Sequence, residues 1–413
     1  MAEIKKERDY MFDTFRGLLM LSIPMSHFTK MSGNLYGHLY GNGAFPQDSL
    51  AGFVYITINV FVMQAFMFLS GYFSKKPERA RETAFKTFMW PYLVWTTVYF
   101  LIRIFFFGRA HLSYLNPPFA LWFLFALFFY RFFLVDMVKF KWLFPTSIAM
   151  MFIAGWVPEF GDFMALGRAF SYFPFFLIGY YCSKERLAWI QQLKKKPAVL
   201  VLLAAVLVTA SILLCKFGPN VGWFLLRESY HNFKGMAWWQ DSLGRIMILA
   251  LGSAWIILMV NIIPSKKNFL SFVGMNTMPV YIFHLTLRYV IDFYGLFVGF
   301  AGCLVVAWFA ILSLIHKKVQ STVAYAIAIV ASIIGIYFFF SSGCLAPWYN
   351  LCPKNPVFFY LLVYGGALTC GCSFVAPFWV KLYDLIVDGP GYLSKAAVWL
   401  KGPGYVEEDE ANK

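Results

Sequence analysis

Residues 197–216 read Pro-Ala-Val-Leu-Val-Leu-Leu-Ala-Ala-Val-Leu-Val-Thr-Ala-Ser-Ile-Leu-Leu-Cys-Lys, and the only charge lies at the end of the stretch. A helix of about 20 apolar residues is long enough to cross the hydrocarbon core of a bilayer. The whole chain has the same character, because 60% of its 413 residues are hydrophobic, 21% are aromatic and 13% are charged. Soluble domains carry about 25% charged residues. The sequence therefore predicts an integral membrane protein.

Similar apolar runs recur along the chain and predict an all-α, polytopic fold with about 10–12 transmembrane helices. The expected spans lie at roughly 12–32, 50–73, 87–107, 118–137, 142–157, 168–183, 197–216, 243–263, 273–293, 295–315, 321–341 and 356–380. We expect one transmembrane domain over residues 1–385, followed at 386–413 by a short cytoplasmic helix and an acidic tail.

Basic residues are unevenly distributed among the loops between these spans. Alternate loops are rich in Lys and Arg, as at 75–86 and 184–196. The other loops hold little beyond Arg109, Arg227, Lys234 and Lys354. Because basic loops stay in the cytoplasm, we expect both termini of this multi-pass protein to be cytoplasmic. The same dispersal argues against nucleic-acid binding, despite the net charge of +15.

Cysteine spacing and metal motifs carry little information. Cys344 and Cys352 share one loop and can form a disulfide only if that loop faces an oxidising compartment. The other cysteines lie in or beside apolar spans and are interpreted as small packing residues. They are Cys182, Cys215, Cys303, Cys370 and Cys372. The sequence contains no metal-site spacing, phosphate-binding glycine loop or catalytic carboxylate pair, so we expect no metal.

Two ionisable side chains share one face of the first span. Arg16 and His27 are eleven residues apart, which returns to nearly the same helical face roughly 16 Å further along the axis. Pro24 precedes His27 by one turn and removes a backbone hydrogen bond, as is expected beside a cavity. Ionisable groups at such depth are usually functional, and a neutral His there can accept a proton from a hydroxyl. The alternative is structural, with Arg16 reaching the surface and His27 bonded to a neighbouring helix.

Five motifs in order carry a family resemblance. The Arg16-x10-His27 pattern resembles the first-helix motif of the membrane acyltransferase-3 family. The other segments that resemble the family are Phe66-Met-Phe-Leu-Ser70-Gly71-Tyr-Phe, Leu121-Trp122-Phe-Leu, Phe173-Pro-Phe-Phe-Leu-Ile-Gly179-Tyr and Gly274-Met-Asn276-Thr-Met-Pro-Val-Tyr281-Ile-Phe-His284. The resemblance covers roughly residues 8–316. It is nearest to the sugar O-acetyltransferase branch, with proteins related to fucose 4-O-acetylase, and glucan succinyltransferases are also similar.

The resemblance implies that the domain over 1–385 moves an acetyl or similar short acyl group from acyl-CoA, with acetyl-CoA as the expected donor. The implied acceptor is a hydroxyl of a cell-surface glycan or a lipid-linked sugar. His27 is implied as the catalytic general base, and Arg16 is implied in handling a donor that arrives from the cytoplasm. The Arg-x-x-Arg spacing that the family often carries after the second span is absent here. Arg79, Arg81 and Lys86 are donor-binding candidates in its place, with a plain cytoplasmic basic loop as the alternative.

Further polar residues at the ends of spans are candidates for lining a cavity around His27. These are Asp13, Ser70, Trp122, Asn276 and His284. Close helix packing at Ser70-Gly71 and helix capping at Asn276 are the structural alternatives. The outward loop over 216–241 is rich in aromatic and polar groups that suit a sugar or a lipid head group, or else form an interfacial belt. Its acceptor-binding candidates are Trp223, Tyr230, Trp238, Trp239 and Asp241.

Two other classes of function compete with acyl transfer. In a proton-coupled transporter, or a flippase for lipids or sugars, Arg16 and His27 would belong to the substrate path. A catalytically silent sensor or scaffold is the third class. The sequence shows no inverted or parallel internal repeat, which weighs against transport. It leaves open the acceptor, the acyl group and the oligomeric state.

Overall fold

The computed structural model describes residues 9–39, 45–161, 163–343 and 356–389, and within these ranges every regular element is a helix. The helices are α1 (Met11–Leu39), α2 (Leu50–Tyr72), α3 (Pro77–Ala84), α4 (Trp90–Phe107), α5 (Trp122–Met137), α6 (Leu143–Trp156), α7 (Leu166–Tyr181), α8 (Lys184–Ile190), α9 (Pro197–Phe217), α10 (Trp238–Ile262), α11 (Phe269–Met275), α12 (Thr277–Tyr294), α13 (Leu296–Val319), α14 (Thr322–Ser341), α15 (Pro356–Ser373) and α16 (Pro377–Val387). The expected all-α fold is confirmed.

Each of the expected spans coincides with one of these helices. Seven helices in the described ranges are long and apolar enough to cross a membrane: α2, the unit Pro77–Phe107, the unit Phe119–Met137, α9, α10, α13 and α14. An eighth crossing is formed if Phe359–Ser373 and Pro377–Val387, which meet at 65°, count as one span. The other expected spans fall on α1, α6, α7 and α12. These four helices are shorter or carry charged side chains. By length and apolar composition they therefore fall short of a full membrane span.

Most of the expected loop at 75–86 is helical. Pro77 begins α3, where the missing N–H of proline costs no hydrogen bond. A π-helical turn at Phe85–Met89 then joins α3 to α4, so that Pro77–Phe107 forms one continuous helical unit. The basic side chains of this segment therefore project from a helix that continues into a membrane span.

Close backbone contacts hold α1 and α2 against their neighbours. A Cβ atom at Gly17 would overlap the Leu270 carbonyl of α11, and one at Gly274 would overlap the Asp13 carbonyl of α1. Gly71 of α2 stands in the same relation to the Phe176 carbonyl of α7. Small residues allow membrane helices to approach this closely. The Ser70-Gly71 motif thus lies at a helix-packing site.

The last part of the chain is described only in part. The pair Cys344 and Cys352 lies outside the described residues, as does most of the expected cytoplasmic segment at 386–413. Helix α16 ends at Val387 and so crosses the expected domain boundary at residue 385. The five remaining cysteines are free, and all except Cys372 are buried.

Candidate active site

Two histidines from distant parts of the chain stack against each other. The rings of His27 in α1 and His284 in α12 are nearly parallel, at 9°, with their centroids 5.4 Å apart. His284 is fully buried, and its Nδ1 lies 2.9 Å from the carbonyl oxygen of Val280. Within the described part of the chain, its Nε2 has no hydrogen-bond partner. This arrangement leaves one buried imidazole nitrogen beside the ring of His27.

His27 lines a cavity of about 940 Å³. Side chains of α1, α2, α7 and α12 form its walls, together with the end of α4 and the segment leading into α5. Ile23 and Ser26, on either side of Pro24, line it with His27, in agreement with the expectation of a cavity beside this proline. Asn59 of α2 lies in the same wall and donates from Nδ2 to Ser26 Oγ at 3.1 Å. The cavity therefore offers amide and hydroxyl groups near the imidazole.

Aromatic rings form much of the remaining wall. Trp122 lines the cavity, as expected, and stacks on Tyr172 with ring centroids 5.4 Å apart. The guanidinium carbon of Arg168 lies 4.6 Å from the centroid of the Trp122 ring. Flat aromatic faces beside hydrogen-bonding groups are typical of sites that hold a sugar, which is apolar on one face and polar at its edges.

Phe119 connects His27 to a cation. Its ring centroid lies 4.8 Å from that of His27 and 3.4 Å from the guanidinium carbon of Arg288. Phe119 has a φ of 45°, in the left-handed region that residues other than glycine rarely adopt. Backbone strain of this kind costs about 1–3 kcal/mol and concentrates at functional sites. The strained residue here is the one between the imidazole and the guanidinium group.

The environment of Arg16 is different. Its Nη1 lies 3.4 Å from Asp13 Oδ1, and its guanidinium carbon lies 4.7 Å from the centroid of the Phe73 ring. The Arg16 side chain is 32% exposed, whereas that of Asp13 is 8% exposed. Neither residue lines the cavity at His27. Arg16 and His27 thus share a helix, as the motif predicts, but they lie in separate sites.

The donor-binding candidates of the 75–86 segment also lie away from this cavity. Arg81 donates from Nε to the Phe132 carbonyl at 2.7 Å and forms an ion pair with Asp136. Arg79 and Lys86 are exposed. Of the three candidates, one is therefore bound to α5 and two are accessible.

Lys75, the first residue of this segment, binds the end of another helix. Its Nζ donates to the carbonyl oxygens of Gly179 at 3.0 Å and Cys182 at 2.8 Å, and also to that of Tyr180. Partial burial among these groups lowers the pKa of Lys75. This lysine caps the C-terminal end of α7, where carbonyl groups lack partners within the helix.

The acceptor-binding candidates of the 216–241 loop do not line the cavity either. Trp223 and Asp241 are buried, and the indole Nε1 donates to Asp241 Oδ1 at 2.8 Å. Asp241 in turn pairs with the buried Arg245 at 2.7 Å. This buried cluster leaves Trp223 and Asp241 no access to a ligand, so their role in the structure is to join the loop to α10.

The other three candidates of that loop lie nearer the surface. Tyr230 is half-buried and stacks on His231, with ring centroids 3.9 Å apart. Trp238 and Trp239, at the start of α10, are exposed, as in the interfacial belt that was the alternative interpretation. From this loop, only Leu225 and Arg227 line the cavity.

Ser70 and Asn276 complete the predicted set, and neither lines the cavity. Ser70 lies on α2 beside the helix contact at Gly71. Asn276 stands at the N-terminal end of α12 without a side-chain cap bond, and its Nδ2 donates to the Phe272 carbonyl at 3.0 Å. Of the predicted cavity residues, the structure brings Trp122 into the wall around His27 and places His284 directly against the His27 ring.

Sequence reasoning missed several basic residues of the cavity. They are Lys30, Arg103, Arg168 and Arg288. A signal was available, because Arg103 and Arg288 interrupt apolar spans and Arg288 follows His284 by one helical turn. Within the described ranges, no group of three or more His, Cys, Asp or Glu side chains is arranged to hold a metal ion.

Comparison with known proteins identifies the family of this chain. The family model described as the acyltransferase domain matches residues 9–341, which is most of the chain and includes both stacked histidines. No curated protein and no solved structure matches the chain. A family model that covers this much of the sequence establishes membership. The chain therefore belongs to the membrane acyltransferase-3 family, and the protein is a membrane acyltransferase.

Proposed function

We propose that this acyltransferase moves an acetyl or similar short acyl group from acyl-CoA to a sugar hydroxyl, as in the sugar O-acetyltransferase branch of the family. The acceptor is a cell-surface glycan or a lipid-linked sugar. One observation carries the proposal: His27, the histidine of the first-helix motif, lines a cavity of about 940 Å³. Sites for small molecules usually measure about 300–1,000 Å³. Space for a sugar thus adjoins a residue that can act as a base.

In this mechanism His27 accepts the proton of the acceptor hydroxyl as its oxygen attacks the thioester carbonyl carbon of acyl-CoA. The new C–O ester bond forms and the C–S bond breaks. The coenzyme A thiolate leaves and receives a proton, which His27 returns. The products are the acylated sugar and free coenzyme A.

His284 acts on this chemistry through His27. Its ring stacks on the His27 ring, and its Nδ1 is held at the Val280 carbonyl. A fixed neighbouring ring restricts the rotation of the base, which keeps its nitrogen aimed at the hydroxyl. We therefore assign His284 as a positioning residue.

We place donor binding at the other end of α1. Acyl-CoA, with acetyl-CoA as the expected donor, enters from the cytoplasm, and its phosphates meet Arg16 together with Arg79 and Lys86. Both of the latter side chains are exposed on the same unit, Pro77–Phe107. Arg16 lies roughly 16 Å from His27 along the helix axis, and the extended pantetheine arm covers this separation. Arg81 contributes less, because Asp136 already holds it.

This assignment requires a defined orientation in the membrane. The distribution of basic loops predicts cytoplasmic termini in a bacterial inner (plasma) membrane, so the cavity at His27 opens on the opposite, outer side. The acyl group then travels from a cytoplasmic donor to an acceptor outside. Family membership favours this reaction over the proton-coupled transporter or flippase.

The test is acyl transfer by the full chain in proteoliposomes, with labelled acetyl-CoA and acceptor material extracted from native membranes. We expect His27→Gln to lower transfer by about 10²–10⁴-fold, the usual contribution of a general base. The matched control is His316→Gln, because His316 of α13 also stacks on an aromatic ring, that of Tyr325, and does not line the cavity. Unaltered transfer by His27→Gln in a folded protein would contradict the proposal.

A further inference from the structure

The cavity at His27 is strongly basic. Six basic side chains line it: Lys30, Arg103, Arg109, Arg168, Arg227 and Arg288. Among the described lining residues, the one carboxylate is Asp292, 3.3 Å from the Nε of Arg288. Glu228, outside the lining, approaches the Nε of Arg227 at 3.9 Å. Arg168 and Arg227 have further partners, but even without them four cations face one carboxylate among the described lining residues.

Such an excess is costly inside a membrane protein. Lys30, Arg103 and Arg288 lie on helices α1, α4 and α12, within or beside apolar segments. Charged side chains at these positions are energetically unfavourable, and residues of this kind usually have a function. Like charges around one space also repel each other, more strongly than in water because the surroundings are less polar. A neutral sugar does not offset this cost, whereas an anion does.

The donor is not the source of that anion in the proposed orientation. The loops that contain few basic residues, such as the segment around Arg109, lie at the open end of the cavity. In the proposed orientation this end faces away from the cytoplasm. The phosphates of coenzyme A are bound at the cytoplasmic end, near Arg16. The ligand that enters the basic cavity is therefore the acceptor.

We propose that the acceptor is an anionic glycan, with a phosphate or carboxylate on the acylated sugar or on the neighbouring unit. This inference rests on the proposed function and specifies its substrate class. Arg288 and His27 contact the same Phe119 ring, at 3.4 Å and 4.8 Å from its centroid. A single phenyl ring thus separates the cation from the base. The charged group and the reacting hydroxyl must be correspondingly close on the acceptor.

Two of these arginines rest on aromatic faces. Arg288 lies over Phe119, and Arg168 lies over Trp122 with its guanidinium carbon 4.6 Å from the ring centroid. Stacking holds a guanidinium plane in place, and a guanidinium group can form paired bonds to phosphate or carboxylate. The basic wall is therefore organised before the ligand arrives, which reduces the entropic cost of binding.

The decisive experiment identifies the acylated product in native cells. Glycans and lipid-linked sugars are isolated from cells with the wild-type chain and from cells with His27→Gln, and the difference in acyl groups is located by mass spectrometry. An acyl group on an anionic sugar, or on the unit beside one, supports the inference. An acyl group on a glycan with no anion at either position overturns it and leaves the proposed function intact. No difference between the two strains overturns both.

Variants in the same cells test the role of the basic wall. We expect Arg288→Gln to lower acylation at least tenfold at equal protein level, and Arg288→Lys to restore part of it, because charge is kept while paired hydrogen bonding is lost. Arg131→Gln is the matched control, since Arg131 is also half-buried and lies over a phenylalanine ring, 5.2 Å from that of Phe88, outside the cavity. Equal acylation by Arg288→Gln and Arg131→Gln would overturn the assigned role of Arg288.

Discussion

The two ends of α1 carry the two residues of one motif in opposite surroundings. At the packed end (Asp13, Arg16 and Gly17), α1 touches α11 backbone to backbone, and Arg16 is paired with Asp13 and lies on the Phe73 ring. At the cavity end (Ser26, His27 and Lys30), the helix faces about 940 Å³ of space. A shared helical face therefore does not imply a shared site.

The difference follows from the neighbouring helices. Gly274 lets α11 lie directly against the packed end, with no room for a ligand between the backbones. At the cavity end, α12 supplies His284, Tyr281 and Arg288 as large side chains that hold the helices apart. The packed end can serve a ligand only from its exposed edge, whereas the cavity end can enclose one. We accordingly expect substitutions at the cavity end to change the chemical step and those at the packed end to change stability or donor binding.

The largest effect among the variants that probe this contrast is expected at His284. His284→Phe keeps a ring against His27 but removes the Nδ1 atom that lies at the Val280 carbonyl, so the ring is no longer fixed and we expect kcat to fall about 100-fold with unchanged KM values. His284→Asn returns a hydrogen-bonding group near the former Nδ1 and should recover part of the rate. Transfer assays with varied donor and acceptor separate the two parameters. A wild-type rate for His284→Phe would mean that only ring stacking matters.

At the packed end, the expected effect is on folding. Gly274→Ala places a methyl group against the Asp13 carbonyl, and we expect it to lower the free energy of unfolding by about 2 kcal/mol. Gly335→Ala on α14 is the control, because nothing lies within 4 Å of its added Cβ. There the change should be neutral or stabilising by up to about 1 kcal/mol. Denaturant unfolding of the solubilised protein measures both, and equal values would show that α1 and α11 are not closely packed.

The contrast also shows which features of the fold and the site could be predicted from the sequence. Long apolar runs predicted the helices, and the Arg16-x10-His27 spacing singled out His27, which lines the cavity, because both patterns depend on local order along the chain. The stacking of His284 on His27 joins residues far apart in sequence, so local patterns could suggest a role for His284 but not its partner. The assignment of Trp223 and Asp241 to an acceptor site missed their burial, since Arg245, one turn after Asp241, forms an ion pair with it inside the fold.

The basic wall of the cavity was the main feature of the site that the sequence did not predict. Its members come from α1, α4, α7, α12 and two connecting segments, and no spacing along the chain relates them. The positive-inside pattern drew attention to the opposite set of loops, where Lys75 and Arg81 bind other helices. The number of basic residues in each loop predicts the orientation of the protein in the membrane. A cluster of basic side chains around a cavity can be seen only in the folded structure.

A smaller effect is expected for Arg16 itself. Arg16→Gln removes one charged partner of the donor phosphates, so KM for acetyl-CoA should rise about tenfold, the value of one charge-assisted hydrogen bond. KM for the acceptor should not change, because Arg16 does not line the cavity. Lys194→Gln, an exposed substitution in the same set of basic loops, is the control for general loss of charge. A rise in the acceptor KM would instead place Arg16 in the acceptor site.

The smallest effect is expected at Lys75. Its substitution tests whether the basic segment at 75–86 stabilises the fold or binds the donor. Its ammonium donates to the Gly179 and Cys182 carbonyls at the end of α7, so Lys75→Ala should cost about 1 kcal/mol of stability and leave KM for acetyl-CoA unchanged. Lys76→Ala, at an exposed neighbour, should change neither quantity. If Lys75→Ala raised the donor KM instead, the loop would belong to the donor site, and donor entry would extend from the packed end of α1 to the end of α7.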